Sequence, residues 1–518
     1  MSETRFLSLK SRKKISRNWQ IARKTLQVIS LAVFVLTLVF SKDSAFPPML
    51  TSSLVHLSPL AMLSNLFSSK FFLSGSLLSM VILLSSLVVG RAWCGWLCPM
   101  GTLLDVFNFS KLRSRKDLPQ TFRKLKYILL IATLVSAILG NLTLLIFDPI
   151  TIFIRSISLV IWPLLDKGVY FLETLLIKVP FLSEAVFAMD AWMRPRIFPV
   201  ESSTYQYALL FGVFFVTILL LNLIAERFWC RYLCPLGALL GLGSRLSLIQ
   251  RRVNSNCVEC GLCGKDCPTG TIDTKNGYQS DPSECTLCMN CAGTCGKNAF
   301  VFTPKWEPAK KQSYDPGRRL LLSTVGASVV AVVLLSMGWI KKTANTYLLR
   351  PPGVLDEDKF LSTCVRCGVC IQVCPTQVIQ ADLRLSGIDR MATPILVPRK
   401  GYCAYTCNIC GQNCPVQAIP NLSLEEKRLT KIGTASIDQT RCIAWGEHGN
   451  CIVCEEMCPL PHKAISLEQK SFSQAGGGEV EVLLPIVDAD ACIGCGICEN
   501  KCPIEGEAAI RVQLAANL

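Results

Sequence analysis

The apolar residues of the chain are concentrated in a few long runs separated by basic and polar segments. Runs of about 20 residues, the length of a membrane-spanning helix, occur at 22–41, 71–90, 127–147, 206–225 and 320–340. The pattern predicts a helical membrane domain of four spans and a fifth, linking span. The stretch 152–200 is also apolar, but charges and prolines interrupt it. We predict that it lies on the outer surface or re-enters the membrane without crossing it.

Basic residues are distributed unevenly around these runs. Eight lie at or before the start of the first run: Arg5, Lys10, Arg12, Lys13, Lys14, Arg17, Arg23 and Lys24. Five follow the fourth run: Arg227, Arg231, Arg245, Arg251 and Arg252. The loop 42–70 contains only Lys42 and Lys70. The positive-inside rule therefore predicts that the N-terminus, the loop 91–126 and the residues after 225 are cytoplasmic, and that residues beyond about 342 are periplasmic.

The formal net charge of +16 follows from this topological pattern, so we expect no nucleic-acid partner. The first thirty residues resemble a signal peptide in charge, but no small-residue cleavage site follows Phe40. We therefore expect a retained membrane anchor.

A short motif is repeated at the ends of two apolar runs. WCGWLCPMG at 93–101 returns as WCRYLCPLG at 229–237. If the helix persists to the proline, cysteines four apart share one face, and the two halves could bring both pairs together. The four thiols, Cys94, Cys98, Cys230 and Cys234, are candidate ligands of an iron–sulfur cluster or another soft metal, or candidate redox thiols. Simple helix packing is the alternative interpretation.

Two further cysteine runs follow the fourth apolar run. CVECGLCGKDCP at 257–268 and CTLCMNCAGTCG at 285–296 have the spacing of bacterial [4Fe–4S] ferredoxins, with Gly296 replacing the usual proline. In such paired runs the fourth cysteine binds the other cluster. The predicted ligand sets are therefore Cys257, Cys260, Cys263 and Cys295 for one cluster, and Cys285, Cys288, Cys291 and Cys267 for the other.

Four more runs follow the fifth apolar run. Their sixteen cysteines are Cys364, Cys367, Cys370, Cys374, Cys403, Cys407, Cys410, Cys414, Cys442, Cys451, Cys454, Cys458, Cys492, Cys495, Cys498 and Cys502. They predict four more [4Fe–4S] clusters, six in all, but the spacing does not determine which runs exchange their fourth ligand. Repeated Cys-x-x-Cys pairs also describe zinc ribbons, which do not require the third and fourth cysteine of these runs.

The few histidines exclude several other electron carriers. His56, His448 and His462 are the only ones, and none lies in an apolar run. Membrane b-type haems need axial ligands within the spans, so haem is not the expected transmembrane carrier. The sequence also contains no Cys-x-x-Cys-His motif and no Gly-rich dinucleotide fingerprint.

With these motifs, residues 1–300 resemble the NapH-type membrane ferredoxin, and residues 315–518 resemble the NapG/MauM-type four-cluster ferredoxin. PGRRLLLSTVGASVVAVV at 316–333 is similar to a twin-arginine export signal kept as an internal span. We predict a membrane domain at 1–250, a cytoplasmic two-cluster domain at 251–305, a signal-like span at 316–342 and a periplasmic four-cluster domain at 350–518. The cluster domains should be small α+β ferredoxin-type folds.

The resemblance implies a quinol dehydrogenase component of the cytoplasmic membrane that serves anaerobic respiration. Electrons would pass from menaquinol through the clusters to a periplasmic oxidoreductase. A hydrocarbon core of about 30 Å separates the inner and outer clusters, so the Cys94 group and a bound quinone are candidates for the intervening step. Trp93, Trp96 and Trp229 are candidate walls of a quinone pocket, with interfacial anchoring as the alternative.

Two other functions remain open from the sequence. The inner clusters could accept electrons from a cytoplasmic donor and export reducing power. Alternatively, the chain could be a maturation factor that reduces a metal or thiol during assembly of an exported enzyme.

Overall fold

A computed structural model describes residues 9–41, 46–108, 118–179, 181–194, 197–198, 204–274, 277–297, 299–304, 322–330, 348–383, 387–473 and 479–514. The chain divides into two compact units. The first takes its residues from Met1–Thr37, Ser53–Ser156 and Leu210–Ser336, and the second from Leu38–Ser52, Ile157–Leu209 and Met337–Leu518. Of the predicted signal-like span 316–342, residues 322–330 are helical, and its twin-arginine pair lies outside the described residues.

Helices dominate the part of the chain before residue 250. They are α1 Leu9–Phe40, α2 Pro48–His56, α3 Pro59–Ser69, α4 Ser76–Val89, α5 Ala92–Trp96, α6 Pro99–Val106, α7 Lys124–Ile138, α8 Pro149–Ser156, α9 Trp162–Leu176, α10 Ser183–Met193, α11 Ala208–Leu220 and α12 Pro235–Ser244. Short 3-10 turns occur at Gln120–Arg123, Thr143–Phe147 and Leu221–Leu223, and π-helical turns at Ile157–Ile161 and Trp229–Leu233.

The cysteine-rich parts combine short helices with two-stranded sheets. The helices are α13 Leu262–Lys265, α14 Asn290–Thr294, α15 322–330, α16 Glu357–Thr363, α17 Val369–Val373, α18 Ile409–Gln412, α19 Leu424–Leu429, α20 Ile443–Gly446, α21 Val453–Glu456 and α22 Ile497–Lys501, with a 3-10 turn at Ile388–Arg390. The strands are β1 Ile249–Val253, β2 Phe300–Pro304, β3 Ile379–Ala381, β4 Pro394–Leu396, β5 Thr434–Ile437, β6 Ile465–Ser473, β7 Glu479–Val487 and β8 Ile510–Gln513. Antiparallel pairs form between β1 and β2, β3 and β4, β5 and β8, and β6 and β7.

The lengths of the apolar helices differ from the predicted spans. Within the described ranges, Arg17–Phe40 and Pro149–Leu176 are long and apolar enough to cross a membrane, whereas Ser76–Val89 and Ala208–Leu223 are shorter. The predicted run 127–147 forms the 15-residue helix α7, which ends before Gly140 in the left-handed region at φ +80°. The described helices therefore do not support four spans of full length.

The first half of the stretch 152–200 is less interrupted than the sequence indicated, and its predicted surface or re-entrant location stays a prediction. Residues 149–176 form one continuous helical segment, because the charges that were expected to interrupt it are accommodated inside the unit. Asp166 and Glu173 are buried, and each is paired with Arg194, at 3.1 and 3.0 Å. A buried carboxylate with a cationic partner is tolerated in a helix that an unpaired one would disrupt.

Helix α12 lies at the centre of the first unit, packed against α4 and α7. Small residues allow this close packing: a Cβ at Gly241 would lie 2.8 Å from the carbonyl oxygen of Ser283. The second half of α12 thereby lies beside the end of α4, where a Cβ at Gly243 would clash with the Oγ of Ser86, and beside the loop that precedes Cys285. The β1–β2 pair, from Ile249↔Pro304 to Val253↔Phe300, closes the cysteine-rich segment between its strands.

The second unit contains two cysteine-rich halves and a long hairpin. The first half is built on β3–β4 and the second on β5–β8. The β6–β7 hairpin buries Val482 and Leu484 against Ala444 of α20, and the indole of Trp445 donates to the carbonyl oxygen of Pro485 at 3.2 Å. These modules have the α+β character that the sequence predicts.

Candidate metal centres

The eight cysteines of the first unit's two runs line two separate cavities. One is lined by Cys257, Cys260, Cys263 and Cys295, and the other by Cys267, Cys285, Cys288 and Cys291. These groups are the ones expected if the fourth cysteine of each run belongs to the other site. Both cavities also contain Arg251, which donates to the Sγ of Cys263 at 3.7 Å.

The sixteen cysteines after residue 350, called outer here after their predicted location, are grouped between neighbouring runs. One cavity is lined by Cys442, Cys451, Cys454 and Cys502, and a second by Cys458, Cys492, Cys495 and Cys498. The third and fourth outer runs therefore exchange their last cysteine. Neighbouring runs pair, a point that the spacing alone left open.

Electrostatic contacts group the first two outer runs in the same way. Burial raises the pKa of the Cys370 thiol, and the charges of Cys367, Cys364, Cys414 and Cys410 raise it further, with Cys414 contributing more than Cys410. Burial raises the pKa of Cys410, with added contributions from Cys403, Cys374 and Cys407. Together with the grouping seen in the other two pairs, these contributions favour the sets Cys364, Cys367, Cys370 and Cys414, and Cys403, Cys407, Cys410 and Cys374.

The regular runs share a backbone geometry that turns their thiols inward. The residues on either side of the second cysteine have positive φ: Glu259 and Gly261, Leu287 and Met289, Arg366 and Gly368, Gly494 and Gly496. Non-glycine residues adopt this region at a cost of about 1–2 kcal/mol. Its recurrence at matched positions indicates that the loop must wrap an enclosed site.

Among the described residues, no three His, Cys, Asp or Glu side chains lie close enough together to bind a single metal ion. In a [4Fe–4S] cluster the four cysteines bind four different irons, so they lie further apart than the ligands of one zinc ion. The grouped thiols and the largely apolar walls of their cavities fit clusters of this kind. Their assignment as ligands stays a prediction.

The structure also brings together the four cysteines of the repeated motif. Cys94, Cys98, Cys230 and Cys234 are buried. Burial raises the pKa of the Cys234 thiol, and the charges of the other three cysteines raise it further. Burial raises the pKa of Cys230 to about 11, an increase that Arg227 opposes and Cys94 reinforces. Thiols in such a site stay protonated near neutral pH unless a bound metal displaces the protons.

The helix does not persist to the proline, as the sequence analysis assumed. Cys98 and Cys234 are extended, with ψ of 119° and 109°, because a residue before proline avoids the helical region. The N–H groups of Cys98 and Cys234 donate to the carbonyl oxygens of Trp93 and Trp229, at 3.0 and 2.8 Å. The proline then begins a new helix, so each second cysteine lies at a helix N-terminus.

Two buried arginines flank these thiols in a matched, crossed arrangement. Arg91 donates to the carbonyl oxygen of Cys230, and Arg227 to that of Cys94, each at 3.3 Å. Each arginine lies three residues before a cysteine of its own half, as RAWC at 91–94 and RFWC at 227–230. The repeat therefore begins at the arginine, two residues before the tryptophan from which it was predicted, and this extension is the sequence signal for the pair.

A buried carboxylate, Glu284, and a half-buried one, Asp105, partly balance the two arginines. Arg91 binds Glu284 at 2.9 Å, and Arg227 forms a bidentate pair with Asp105, at 2.7 and 2.6 Å. A cluster bound by four thiolates is an anion, and the guanidinium groups and helix N-termini provide a positive environment for it.

Several buried donors around the motif have no acceptor within the described part of the chain: the indole N–H groups of Trp93 and Trp229, the Nε of Arg91 and the hydroxyl of Thr286. Buried donors in native proteins are rarely left without an acceptor. The sulfides and thiolate sulfurs of a cluster accept such hydrogen bonds. The four-cysteine site, defined as Cys94, Cys98, Cys230 and Cys234 with their surroundings, thus fits a bound iron–sulfur cluster.

The four-cysteine site is in direct contact with the loop that carries Cys285 and Cys288. A Cβ at Gly95 would lie 2.5 Å from the carbonyl oxygen of Thr286, and the indole of Trp96 donates to that of Leu287 at 3.1 Å. Arg91 donates to the carbonyl oxygen of Ser283 at 3.0 Å. Lys126 adds a buried ion pair to Glu284.

Two of the three tryptophans considered as walls of a quinone pocket, Trp96 and Trp229, have defined protein contacts, and the quinone pocket itself stays a prediction. Trp229 is buried and stacks on Phe147, with Phe214 edge-on. Trp96 packs edge-on against Trp19, and its indole N–H donates to the carbonyl oxygen of Leu287 in the Cys285 loop. These contacts indicate packing and docking roles.

Two family models, both described as 4Fe-4S binding domain, match the chain. One matches residues 71–117 and 207–255, which contain the four cysteines of the repeated motif. The other matches 359–380 and 485–505, which contain the first and last outer runs. Together with the grouped cysteines, these matches define an iron–sulfur electron-transfer protein.

Similar curated proteins identify the family more specifically. The ferredoxin-type protein MauM for methylamine utilisation from Methylorubrum extorquens is 34% identical over 213 residues, 38% of this chain and 89% of the relative. The ferredoxin-type protein NapG from Escherichia coli is 36% identical over 202 residues, 38% of this chain and 85% of the relative. The MauM protein of Paracoccus denitrificans is 35% identical over 201 residues, again 38% of this chain, and 84% of the relative. The chain belongs to the NapG/MauM family of ferredoxin-type proteins. No solved structure matches it.

Proposed function

We propose that the chain is a membrane-bound quinol dehydrogenase component that carries electrons from menaquinol to a periplasmic oxidoreductase. It combines a NapH-type membrane part with a NapG-type outer part. The observation that carries the proposal is the four-cysteine site, which lies at the predicted inner ends of apolar helices and against the Cys285 loop. A redox centre in this place would connect the membrane domain with the two inner sites.

Contacts within the second unit support the outer location of the four-cluster domain. Gln372 of α17 donates to the carbonyl oxygen of Leu38, at the predicted outer end of the first span, at 3.0 Å. The side chain of Gln380 accepts from the N–H of Gln206, at the predicted outer start of the fourth span, at 2.8 Å. The outer cysteine domain is thus attached to the segments that the positive-inside rule assigns to the outside.

Contacts within the first unit support the inner location of the two-cluster domain. Its Glu284 is held by Arg91 and Lys126, and its Gly270 carbonyl accepts from Arg123 at 2.6 Å. All three basic residues belong to the predicted cytoplasmic loop 91–126. The two-cluster domain is thus attached to segments that the positive-inside rule assigns to the cytoplasmic side.

The apolar helices also present unpartnered surfaces that suit lipid contact. On α4 these side chains include Leu77, Val81 and Val88, and on α11 they include Leu210, Val213 and Val216, all exposed. Exposed apolar faces of this size are uncommon on soluble proteins and mark interaction or membrane surfaces. We propose that α1, α4, α7 and α11 form the membrane part despite the short length of three of them, a mismatch that local thinning of the bilayer can accommodate.

The protein's own part in the reaction is to hold, space and shield the redox groups. Bound clusters would supply one-electron transfer, which divides the two electrons of a quinol. The cysteine sets hold six clusters, the four-cysteine site holds a seventh, and Arg91 and Arg227 stabilise the anionic site between the membrane and the inner domain. Buried packing around Cys94 and Cys230 excludes water from it.

Addition of a reduced menaquinol analogue to the anaerobically purified protein tests the proposal. Ultraviolet–visible and EPR spectra should show prompt reduction of the clusters, followed by sustained quinol oxidation when an outer electron acceptor is present. Full iron content with clusters that do not respond to quinol would overturn the proposal and favour a cytoplasmic donor. Reduction without sustained flux would instead favour a maturation factor.

A further inference from the structure

Two ligand loops from different pairs meet inside the outer domain. The N–H of Cys403 donates to the carbonyl oxygen of Cys495 at 2.8 Å. Cys403 belongs to the pair formed by the first two outer runs, and Cys495 to the pair formed by the last two. This hydrogen bond therefore joins one pair of sites to the other.

Further contacts hold this junction closed. The side chain of Asn500 donates to the carbonyl oxygen of Pro398 at 3.1 Å, and Arg399 donates to those of Glu499 and Cys502, at 3.2 and 3.0 Å. At Gly496, which has φ +79°, a Cβ would lie 2.8 Å from the Cβ of Pro398. Only glycine permits both the backbone conformation and this approach.

Lys427 places a buried positive charge at the junction. It lies on α19, whose start is fixed by a capping box of Ser423 and Glu426, and its side chain is 2% exposed. The ammonium group donates to the carbonyl oxygen of Ala404 at 2.6 Å. None of the ion pairs found in the described ranges involves Lys427, so no carboxylate neutralises it there.

The charge of Lys427 acts on sites of both pairs. On one side its ammonium group donates to the carbonyl oxygen of Ala404, the residue that follows Cys403. On the other side the N–H of Cys403 donates to the carbonyl oxygen of Cys495 at 2.8 Å, which brings the loop of the Cys495 set to the same junction. A cation buried between two anionic sites stabilises the reduced, more negative state of both.

We propose that the four outer sites form one linear series and that Lys427 is the positioning residue that raises the reduction potential of the two middle sites. The order is the Cys364 set, the Cys403 set, the Cys495 set and the Cys442 set. The order follows from the exchange of fourth ligands within each pair and from the Cys403–Cys495 contact between pairs. The inference rests on the clusters of the proposed function but not on quinol as the donor.

An EPR-monitored redox titration of the full-length, cluster-loaded protein in detergent tests the inference. Lys427→Met should lower the potential of two titrating components and leave the others unchanged. We expect about a tenfold change in their reduced-to-oxidised ratio at a fixed potential, which is about 59 mV for a one-electron couple. Lys427→Arg, which keeps the charge, should restore potentials close to those of the unmodified protein.

Lys431→Met is the matched control, because Lys431 also donates to a backbone carbonyl, that of Ala489 at 2.7 Å, from an exposed position. It should move no component. Lys427→Gln, which retains a donor for Ala404, serves as a second neutral variant if the methionine variant loses iron. Unchanged potentials in an iron-replete neutral variant, a shift of all components, or an equal shift in Lys431→Met would overturn the inference. Because chemical reductants and mediators suffice, the result is independent of whether quinol reduces the protein.

Discussion

The ferredoxin-type runs and the four-cysteine site enclose thiols in two different ways. In a run, three thiols come from about seven consecutive residues, and left-handed residues such as Leu287 and Met289 turn them inward. In the four-cysteine site the thiols come from two distant segments, and each segment is a broken helix ending at a proline. The first kind of site is encoded locally, and the second depends on how helices pack.

The two kinds of site also differ in how deeply they are buried. Cys260 of the first inner run is exposed, whereas the four-cysteine site lies between buried arginines and the Ser283–Cys288 loop. Substitutions that disturb helix packing should therefore cause loss of iron from the four-cysteine site first. Substitutions that disturb only the local backbone should affect a single run.

The largest effect is expected for Glu284→Ala. This change leaves Arg91 and Lys126 buried without their carboxylate, and loss of one partner of a buried ion pair costs about 3–5 kcal/mol. Burial alone would raise the pKa of Glu284, but the charges of Lys126 and Arg91 hold this pKa below its usual range. The thermal midpoint for iron loss should fall strongly.

Glu507→Gln is the control for that experiment. Glu507 pairs with Arg511, four residues further along the chain on the surface, at 3.1 Å, and exposed pairs contribute little to stability. Equal midpoints for the two variants would show that the Arg91–Glu284–Lys126 network does not hold the inner domain in place.

A smaller effect is expected for Gly95→Ala. The new methyl group would approach the Thr286 carbonyl oxygen to 2.5 Å, and such overpacking typically costs about 1–3 kcal/mol. Gly296→Ala, where a Cβ meets nothing within 4 Å, should leave the midpoint close to that of the unmodified protein. If Gly95→Ala is as stable as Gly296→Ala, the four-cysteine site does not pack against the Cys285 loop.

The smallest effect is expected within a run. Gly368 has φ +82° between Cys367 and Cys370, and an alanine held in the left-handed region costs about 1–2 kcal/mol. Gly368→Ala should lower stability by that amount and affect the Cys364 set alone, as the EPR components would show. Loss of several outer components would contradict local encoding of the run.

This difference also explains what the sequence could predict. The exchange of Cys267 and Cys295 between the inner sites is predicted from spacing and known ferredoxin chemistry; the two cavities are lined by the corresponding cysteines, and their role as ligands stays a prediction. The breaks at Cys98 and Cys234 were missed, although proline already disfavours helix at the preceding residue. The continuous helix 149–176 was missed because the pairing of Asp166 and Glu173 with Arg194 is a tertiary contact that no local pattern reveals. The Cys403–Cys495 contact is likewise long-range.

We propose that the cysteine runs hold six four-iron clusters and that the four-cysteine site holds a seventh. Iron and acid-labile sulfide per chain, measured for the anaerobically purified protein and for a Cys98→Ser, Cys234→Ser double variant, test it most directly. We expect about 28 irons per chain in the unmodified protein and about 24 in the variant, at four per site. About 24 irons in both would contradict a cluster in the four-cysteine site.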